Sequence, residues 1–256
     1  MTQPLLAARN LTVSIAGIRI CRGLDLSVLP GQCWAILGRN GAGKTTLLHT
    51  LAGLRSPAEG TVELLGQPLA AAARRDVARL RGLLPQDDND AFPATVLETV
   101  LIGRHPHLSR WQWEGPEDLC VARQALAAAD MTGTEARDVR TLSGGERRRV
   151  ALAALLAQQP RLFLLDEPSS HLDLSHQLAL LDRLTDAVRA AGKALVMVLH
   201  DVNLAVRYCD QALLLANGDA LAGSAAALFS AERLSAVFDV ALKTVAGPRG
   251  SVFVPE

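Results

Sequence analysis

The chain has 256 residues, of which 49% are apolar and 20% charged, so a sizeable core can form and wholesale disorder is excluded. Lys+Arg and Asp+Glu both number 26, and a formal net charge of zero argues against a broad electrostatic surface for nucleic acid. No apolar run reaches the ~20 residues needed to cross a bilayer, the opening MTQPLLAARN has no leader pattern, and Cys21, Cys33, Cys120 and Cys209 lack metal-ligand spacing, so a cytosolic chain with reduced thiols is expected.

Leu5–Ile15 and Ile18–Val28 are predicted as two short strands about Gly17. Cys33–Leu37 is a short apolar strand running into glycine, and Lys44–Leu54 reads as a helix. Between them lies Gly38-Arg39-Asn40-Gly41-Ala42-Gly43-Lys44-Thr45, which fits G-x-x-x-x-G-K-[ST] in the strand-to-helix context that a phosphate-binding loop requires. Its glycines let successive N–H groups curl toward phosphate oxygens, and the helix that begins at Gly43 turns its positive end to the same anion. In that frame Lys44 reaches the β- and γ-phosphates and the Thr45 hydroxyl ligates Mg²⁺. Nucleotide binding is the expectation. Thr61–Leu65 returns as a strand, with Gly66 and Pro68 punctuating the turn.

The texture changes between Gln86 and Leu142. Asp87, Asp88, Asn89 and Asp90 form a polar loop, Thr95–Gly103 has helical periodicity, and His105–Pro116, with two Trp and two Pro, reads as a loop. Glu117–Ala129 is a second helix, so the stretch is a helical insert in an otherwise alternating chain. The helix Ser143–Gln158 opens with Leu142-Ser143-Gly144-Gly145-Glu146, where Ser143 and Glu146 have the spacing of a capping box. That box needs no ligand, yet it leaves Gly144 and Gly145 unexplained, since each costs roughly 0.5–1 kcal/mol against alanine in a helix. Bare N–H groups there suit a second phosphate, offered by another copy of the chain. The run Arg147-Arg148-Arg149 reads as a solvated, salt-bridged face rather than a ligand site.

Leu162–Asp166 is a fully apolar strand ending in acid, followed by Glu167. At the carboxyl end of such a strand, where parallel sheets place ligands, Asp166 would hold Mg²⁺ through water and Glu167 would polarise an attacking water. Two acids at an ordinary strand end are the alternative, weakened by the phosphate loop upstream. Leu174–Ala190 is a helix, and the strand Ala194–Leu199 ends at His200, which either caps the strand or touches the γ-phosphate. Val202–Arg207 is helical, Ala212–Ala216 turns at Asn217-Gly218 into Ala220–Ala222, and a small tail holds one more helix near Ala231–Phe238.

Together these motifs resemble the nucleotide-binding subunits of ABC transporters, over nearly the whole chain. Gly38–Thr45 is similar to the Walker A loop, Leu142–Glu146 to the LSGGQ-type signature with Glu146 where glutamine is usual, and Leu162–Asp166 to Walker B. Gln86 matches the Q-loop, Ser170-His171-Leu172-Asp173 the D-loop and His200 the switch histidine. The resemblance implies one ABC ATPase domain over residues 1–256, an α/β P-loop NTPase fold with an N-terminal antiparallel β-subdomain. Its RecA-like core would span about 1–86 and 159–256, and its inserted α-helical subdomain about 87–158.

The resemblance also implies ATP hydrolysis with Mg²⁺, with Lys44, Gln86, Glu167 and His200 in catalytic roles and Thr45, Gln86 and Asp166 about the metal. Nucleotide contacts would come from Gly38, Arg39, Asn40, Gly41, Ala42, Gly43, Lys44, Thr45 and Thr46, and from Ser143, Gly144 and Gly145. The family usually stacks an aromatic residue on adenine, roughly two dozen residues before Walker A, where this chain has Ile15.

A finer likeness lies in Phe92-Pro93-Ala94-Thr95-Val96, Gly103-Arg104-His105-Pro106-His107 and His200-Asp201-Val202-Asn203-Leu204-Ala205, which resemble the importer ATPases for iron-siderophores, haem and cobalamin. It implies a homodimer, a membrane permease dimer, a periplasmic binding protein acting through the permease, no nucleic acid, and a peripheral position on the cytoplasmic face of the inner membrane. Phe92–His107, with Trp111 and Trp113 nearby, is expected to dock the permease; the alternative is that these aromatics pack the helical insert. A soluble ABC-type ATPase uncoupled from transport is the second reading, and a nucleotide sensor without turnover is the third, opposed by Lys44, Glu167 and His200.

Overall fold

Strands and helices alternate along most of the chain, as the apolar runs predict. The computed structural model describes residues 2–86, 93–170, 173–247 and 250–256. Its elements begin with β1 (Leu6–Ile15), β2 (Ile18–Val28), β3 (Cys33–Gly38), α1 (Lys44–Leu51), β4 (Glu59–Leu64), β5 (Gln67–Pro68), α2 (Arg74–Leu80) and β6 (Arg81–Leu84). Helices α3 (Val96–Leu101), α4 (Pro116–Ala128) and α5 (Gly144–Ala157) follow, then β7 (Leu162–Asp166), α6 (Leu174–Ala190), β8 (Ala194–Val198) and α7 (Val202–Tyr208). The remaining elements are β9 (Gln211–Ala216), β10 (Asp219–Ser224), α8 (Ala225–Leu228), α9 (Ala231–Phe238), β11 (Leu242–Gly247) and β12 (Gly250–Pro255).

The chain folds as two compact units, Met1–Ala72 with Leu184–Glu256, and Ala73–Arg183. In the first unit, an antiparallel sheet of order β2-β1-β4-β5 sits on the amino-terminal side of the sequence. The same unit pairs β3 in parallel with β8 and β9, and β10 antiparallel with β9. Every residue of β3 and β8 is buried, which is why Cys33–Gly38 and Ala194–Val198 read as unbroken apolar runs rather than alternating ones. Burial pushes the Cys33 thiol up to about 11 and Cys209 well above its ordinary value, so both stay protonated and inert near neutral pH. All four cysteines are free.

In the second unit β6 runs parallel to β7, with Leu83 opposite Leu164 and Leu84 opposite Leu165. The helical insert closes a core of its own: Val96 and Val100 of α3, Ala122 and Leu126 of α4, and Val150 and Ala153 of α5 pack with Met131 and Val139. Gly103, just after α3, lies against the backbone of α5, where an added Cβ would sit 2.1 Å from the Ala154 oxygen. Arg104 is buried there with Asp118, 2.9 Å apart, and also donates to Ala157 O. Among the described residues, no helix is long and apolar enough to cross a membrane.

Several elements were invisible to periodicity. Helix α2 buries only Val77, β6 is four residues long and contains glycine, and β11–β12 is a largely exposed hairpin without clean alternation. The predicted Lys44–Leu54 helix stops at Leu51, and Thr95–Gly103 narrows to α3 and a 3₁₀ turn, Ile102–Arg104. The polar loop at 87–90 and Phe92 lie outside the described residues.

Candidate functional site

The phosphate loop runs from the end of β3 into α1, as predicted. Gly41 and Gly43 hold φ of +79° and +91°, a region that a side chain would strain. A Cβ on Gly43 would also come within 2.6 Å of the Ile20 side chain, so Ile20 of β2 is the apolar floor under the loop. Sequence reasoning missed Ile20, because its role depends on the packing of β2 and not on any motif. Helix α1 has no side-chain N-cap at Gly43, and the N–H groups of its first turn suit donation to an anion.

Lys44 is only 6% exposed, and its ammonium donates to Gly38 O at 2.8 Å and Arg39 O at 3.0 Å. The loop therefore places this cation in its own cradle before any anion arrives. Thr45 and Thr46 are half-buried on the first turn of α1, while Arg39 and Asn40 are exposed, Arg39 paired with Asp239 at 2.9 Å. β8 lies beside β3, with Leu199 N donating to Ile36 O at 3.2 Å. His200, exposed, follows directly, so the first unit brings the switch-histidine position to the strand that neighbours the phosphate loop. Ile15 is half exposed, at 37%, opposite Ile18 near the turn of the β1–β2 hairpin.

The second unit gathers Gln86, Asp166, Glu167 and the first turn of α5. Gln86 is exposed just beyond β6, and Asp166 ends β7 fully buried, at 0%. Glu167 follows with φ +49°, the left-handed region rarely adopted by a residue other than glycine. Its carbonyl accepts from Ser170 N at 3.1 Å and Ser170 Oγ at 2.9 Å. Of the remaining D-loop positions, His171 and Leu172 lie outside the described residues, and Asp173 accepts from His176 N at the start of α6.

Helix α5 opens as the sequence predicts. Ser143 Oγ accepts from Glu146 N, and the Glu146 carboxylate accepts from Ser143 N at 2.8 Å, closing the capping box. Backbone and hydroxyl hydrogen bonds from Ser143, with the Arg137 guanidinium 2.8 Å away, hold the Glu146 carboxyl down at about 2. Ser143 and Gly144 remain exposed and Gly145 half-buried, so this turn is open to an anion from outside.

One expectation is corrected here. The Arg147-Arg148-Arg149 run is not a uniformly solvated face: Arg148 is only 3% exposed. Its guanidinium donates to main-chain oxygens of Asp166 at 2.6 Å and Glu167 at 2.9 Å, and to those of Pro85, Gln86 and Pro168. A run of three arginines gives no hint which one is inside; at helical spacing only one of them can face the sheet.

The donor sets fit a magnesium nucleotide. Taken by itself, the first unit offers the Thr45 hydroxyl and the second offers the Asp166 carboxylate and the Gln86 amide oxygen, each a hard oxygen donor of the kind Mg²⁺ prefers. The glycine loop supplies what ATP phosphates require: N–H donors, space and a buried ammonium. When bound, the metal would neutralise charge developing on the transferring phosphoryl group.

Within the second unit lies an apolar groove of about 460 Å³, lined by Leu83, Pro85, Ile102, Gly103, Pro106 and Leu142 among others. Pro85 precedes Gln86 and Leu142 precedes Ser143, so the groove shares its walls with two site segments. Trp111 and Trp113 do not pack the insert; each is 86% exposed, beside a hollow of about 500 Å³ that Arg75, His105 and Arg110 also line.

The sequence and fold match known proteins. Residues 21–170 match the ABC transporter family model. The hemin import ATP-binding protein HmuV of Burkholderia ambifaria is 40% identical, over 98% of this chain and 100% of the relative. The cobalamin import ATP-binding protein BtuD of Halobacterium salinarum is 38% identical over 90% of this chain and 58% of its own length. A solved metal-chelate type ABC transporter in an inward-facing conformation superposes with a TM-score of 0.86 at 29% identity, covering 99% of this chain and 98% of that one. A dimeric ATP-binding cassette with ADP and phosphate gives a TM-score of 0.74 at 26% identity, covering 86% and 98%. With a phosphate loop on β3–α1, a buried acid and strained glutamate after β7, and a capped signature turn on α5, the chain belongs to the ABC transporter family, as an ATP-binding subunit that hydrolyses ATP to drive transport.

Proposed function

We propose that the chain powers import of a metal chelate or tetrapyrrole, such as haem, an iron-siderophore or cobalamin, through a separate membrane permease. The observation that carries this reading is the apolar groove bounded by Pro85 and Leu142, in a chain whose relatives are import ATPases for hemin and cobalamin. The groove offers a membrane partner a surface that touches both the Gln86 segment and the signature turn. In this reading the RecA-like core at about 1–86 and 159–256 holds Mg-ATP, and the helical insert at about 87–158 carries the signature. The subunit sits peripherally on the cytoplasmic face of the inner membrane, and a periplasmic binding protein acts through the permease to deliver the cargo.

Two copies would enclose each nucleotide between the Gly38–Thr46 loop of one and Ser143–Gly145 of the other. Lys44 stabilises charge on the β- and γ-phosphates, Gln86 and His200 contact the γ-phosphate, and Glu167 takes the proton of the attacking water. Thr45, Gln86 and Asp166 would hold Mg²⁺. Ile15 takes the place of the usual aromatic against adenine.

Ile102 lines the groove and is 57% exposed, whereas Leu101 packs into the insert core, so Ile102→Glu tests docking without disturbing the fold. Expected is loss of co-purification with the permease, and of cargo-stimulated turnover in the reconstituted transporter, with the basal ATPase of the isolated subunit retained. Undiminished assembly and transport would move the interface elsewhere. Stimulation by one of haem, an iron-siderophore or cobalamin, added with its binding protein, identifies the cargo.

A further inference from the structure

Arg148 is the second arginine after Glu146, at a position where the chain offers no local reason for burying a cation. Nevertheless its guanidinium is inside, and five main-chain carbonyls accept from it: Nη1 donates to Pro85 O and Gln86 O, Nη2 to Asp166 O and Glu167 O, and Nε to Pro168 O. These oxygens belong to two segments far apart in sequence, the one that carries Gln86 and the one that carries Glu167. A planar fork of donors can span both; the point charge of a lysine cannot.

Glu167 needs such support. Its φ of +49° is a left-handed conformation that strains a non-glycine residue and persists only where surrounding bonds over-determine it. Three bonds converge on its carbonyl: Glu167 O accepts from Arg148 Nη2 at 2.9 Å and from both N and Oγ of Ser170. The backbone angle fixes where Cβ points, and so where the carboxylate begins.

We propose that Arg148 is a positioning residue for hydrolysis: it fixes the strained backbone of Glu167 and ties that residue and Gln86 to the signature helix α5. Arg148 touches neither nucleotide nor water in this role; it acts through Glu167. A displacement of α5 when Ser143–Gly145 meets a phosphate would then be carried by one rigid guanidinium to both the general base and the Gln86 segment. The proposal rests on the reading of Glu167 as general base given above.

The test is steady-state ATPase kinetics and nucleotide affinity on full-length Arg148→Lys and Arg148→Gln, alone and combined with Glu167→Gln. Expected for the single variants is a fall in kcat of tenfold or more, with KM for Mg-ATP and the affinity for a fluorescent ATP analogue within twofold of the parent. In the Glu167→Gln background the same change should lower residual turnover less than twofold, because the residue it positions is already gone. A merely structural arginine would lower both backgrounds equally, and that result overturns the proposal, as does an unchanged kcat or a loss confined to KM. If the Arg148 variants do not fold, Ser170→Ala serves, since it removes the hydroxyl bond to the same carbonyl from a half-buried site. It should lower kcat about two- to fivefold at constant KM, and unchanged kcat there overturns the proposal. Glu167→Gln with parental turnover would sink the underlying reading, whereas a slow Glu167→Gln beside a normal Arg148→Lys sinks the positioning role alone.

Discussion

Lys44 shows how much of the site is built before substrate arrives. Its ammonium rests on the carbonyls of Gly38 and Arg39, in a loop whose glycines leave no side chain to block a phosphate. Lys44→Ala is expected to reduce ATP turnover by about 10²–10³-fold, the usual cost of removing one preorganised charge from a transition state. The variant stays folded, because bonds of about 1.5–3 kcal/mol each are lost while a buried ammonium no longer has to be desolvated. Phosphate release, read beside a thermal melt, decides it; parental turnover in a folded variant would remove Lys44 from the mechanism. The residue type and spacing made Lys44, Asp166 and Glu167 legible as candidates. Arg148 and Ile20 were not, because a buried arginine and a β2 isoleucine acquire their roles from neighbours that are distant in sequence.

At the scale of elements, α5 is governed by its cap and by one close approach. The Glu146 carboxyl is held at about 2 against an ordinary 4.5, so its contribution to stability is present above about pH 4.5 and is lost as the pH falls toward 2. Glu146→Gln keeps an acceptor for Ser143 N but removes the titration and the Arg137 ion pair. The difference in melting temperature between the parent and this variant should therefore shrink between pH 4.5 and 2.5, and a constant difference would refute the assignment. At Gly103 a methyl group would meet the Ala154 carbonyl oxygen at 2.1 Å, a backbone atom that cannot swing aside. Gly103→Ala should cost about 1–3 kcal/mol, the range for overpacking, visible as a lowered denaturation midpoint; a neutral result would mean that the contact relaxes freely. The capping box was readable at fixed spacing, since Ser143 and Glu146 interact within one turn. Helix α2 was not, for with Val77 its sole buried residue no apolar stripe exists to detect.

For the whole molecule the prediction concerns two copies. Glu167→Gln removes the base and leaves both phosphate-binding turns intact, so ATP should persist as a bridge between two chains. Size-exclusion chromatography in saturating Mg-ATP should show a dimer for this variant and a monomer without nucleotide; a strictly monomeric variant would count against the paired arrangement. The alternation of strands and helices, the phosphate loop, the buried acid-ended strand and the capped signature turn were all legible in the amino-acid order. Each is encoded within a few consecutive residues, where backbone propensity, glycine placement and apolar period act locally. Packing alone set which of three adjacent arginines is buried, that Ile20 underlies Gly43, that Trp111 and Trp113 face outward, and that Leu83, Ile102 and Leu142 line one groove. Those outcomes depend on which elements pack together. Arg148 meets acceptors 18 to 63 residues away, and no local pattern records a partner at that distance, because burial there is set by the packed sheet and helix rather than by the neighbours in the chain.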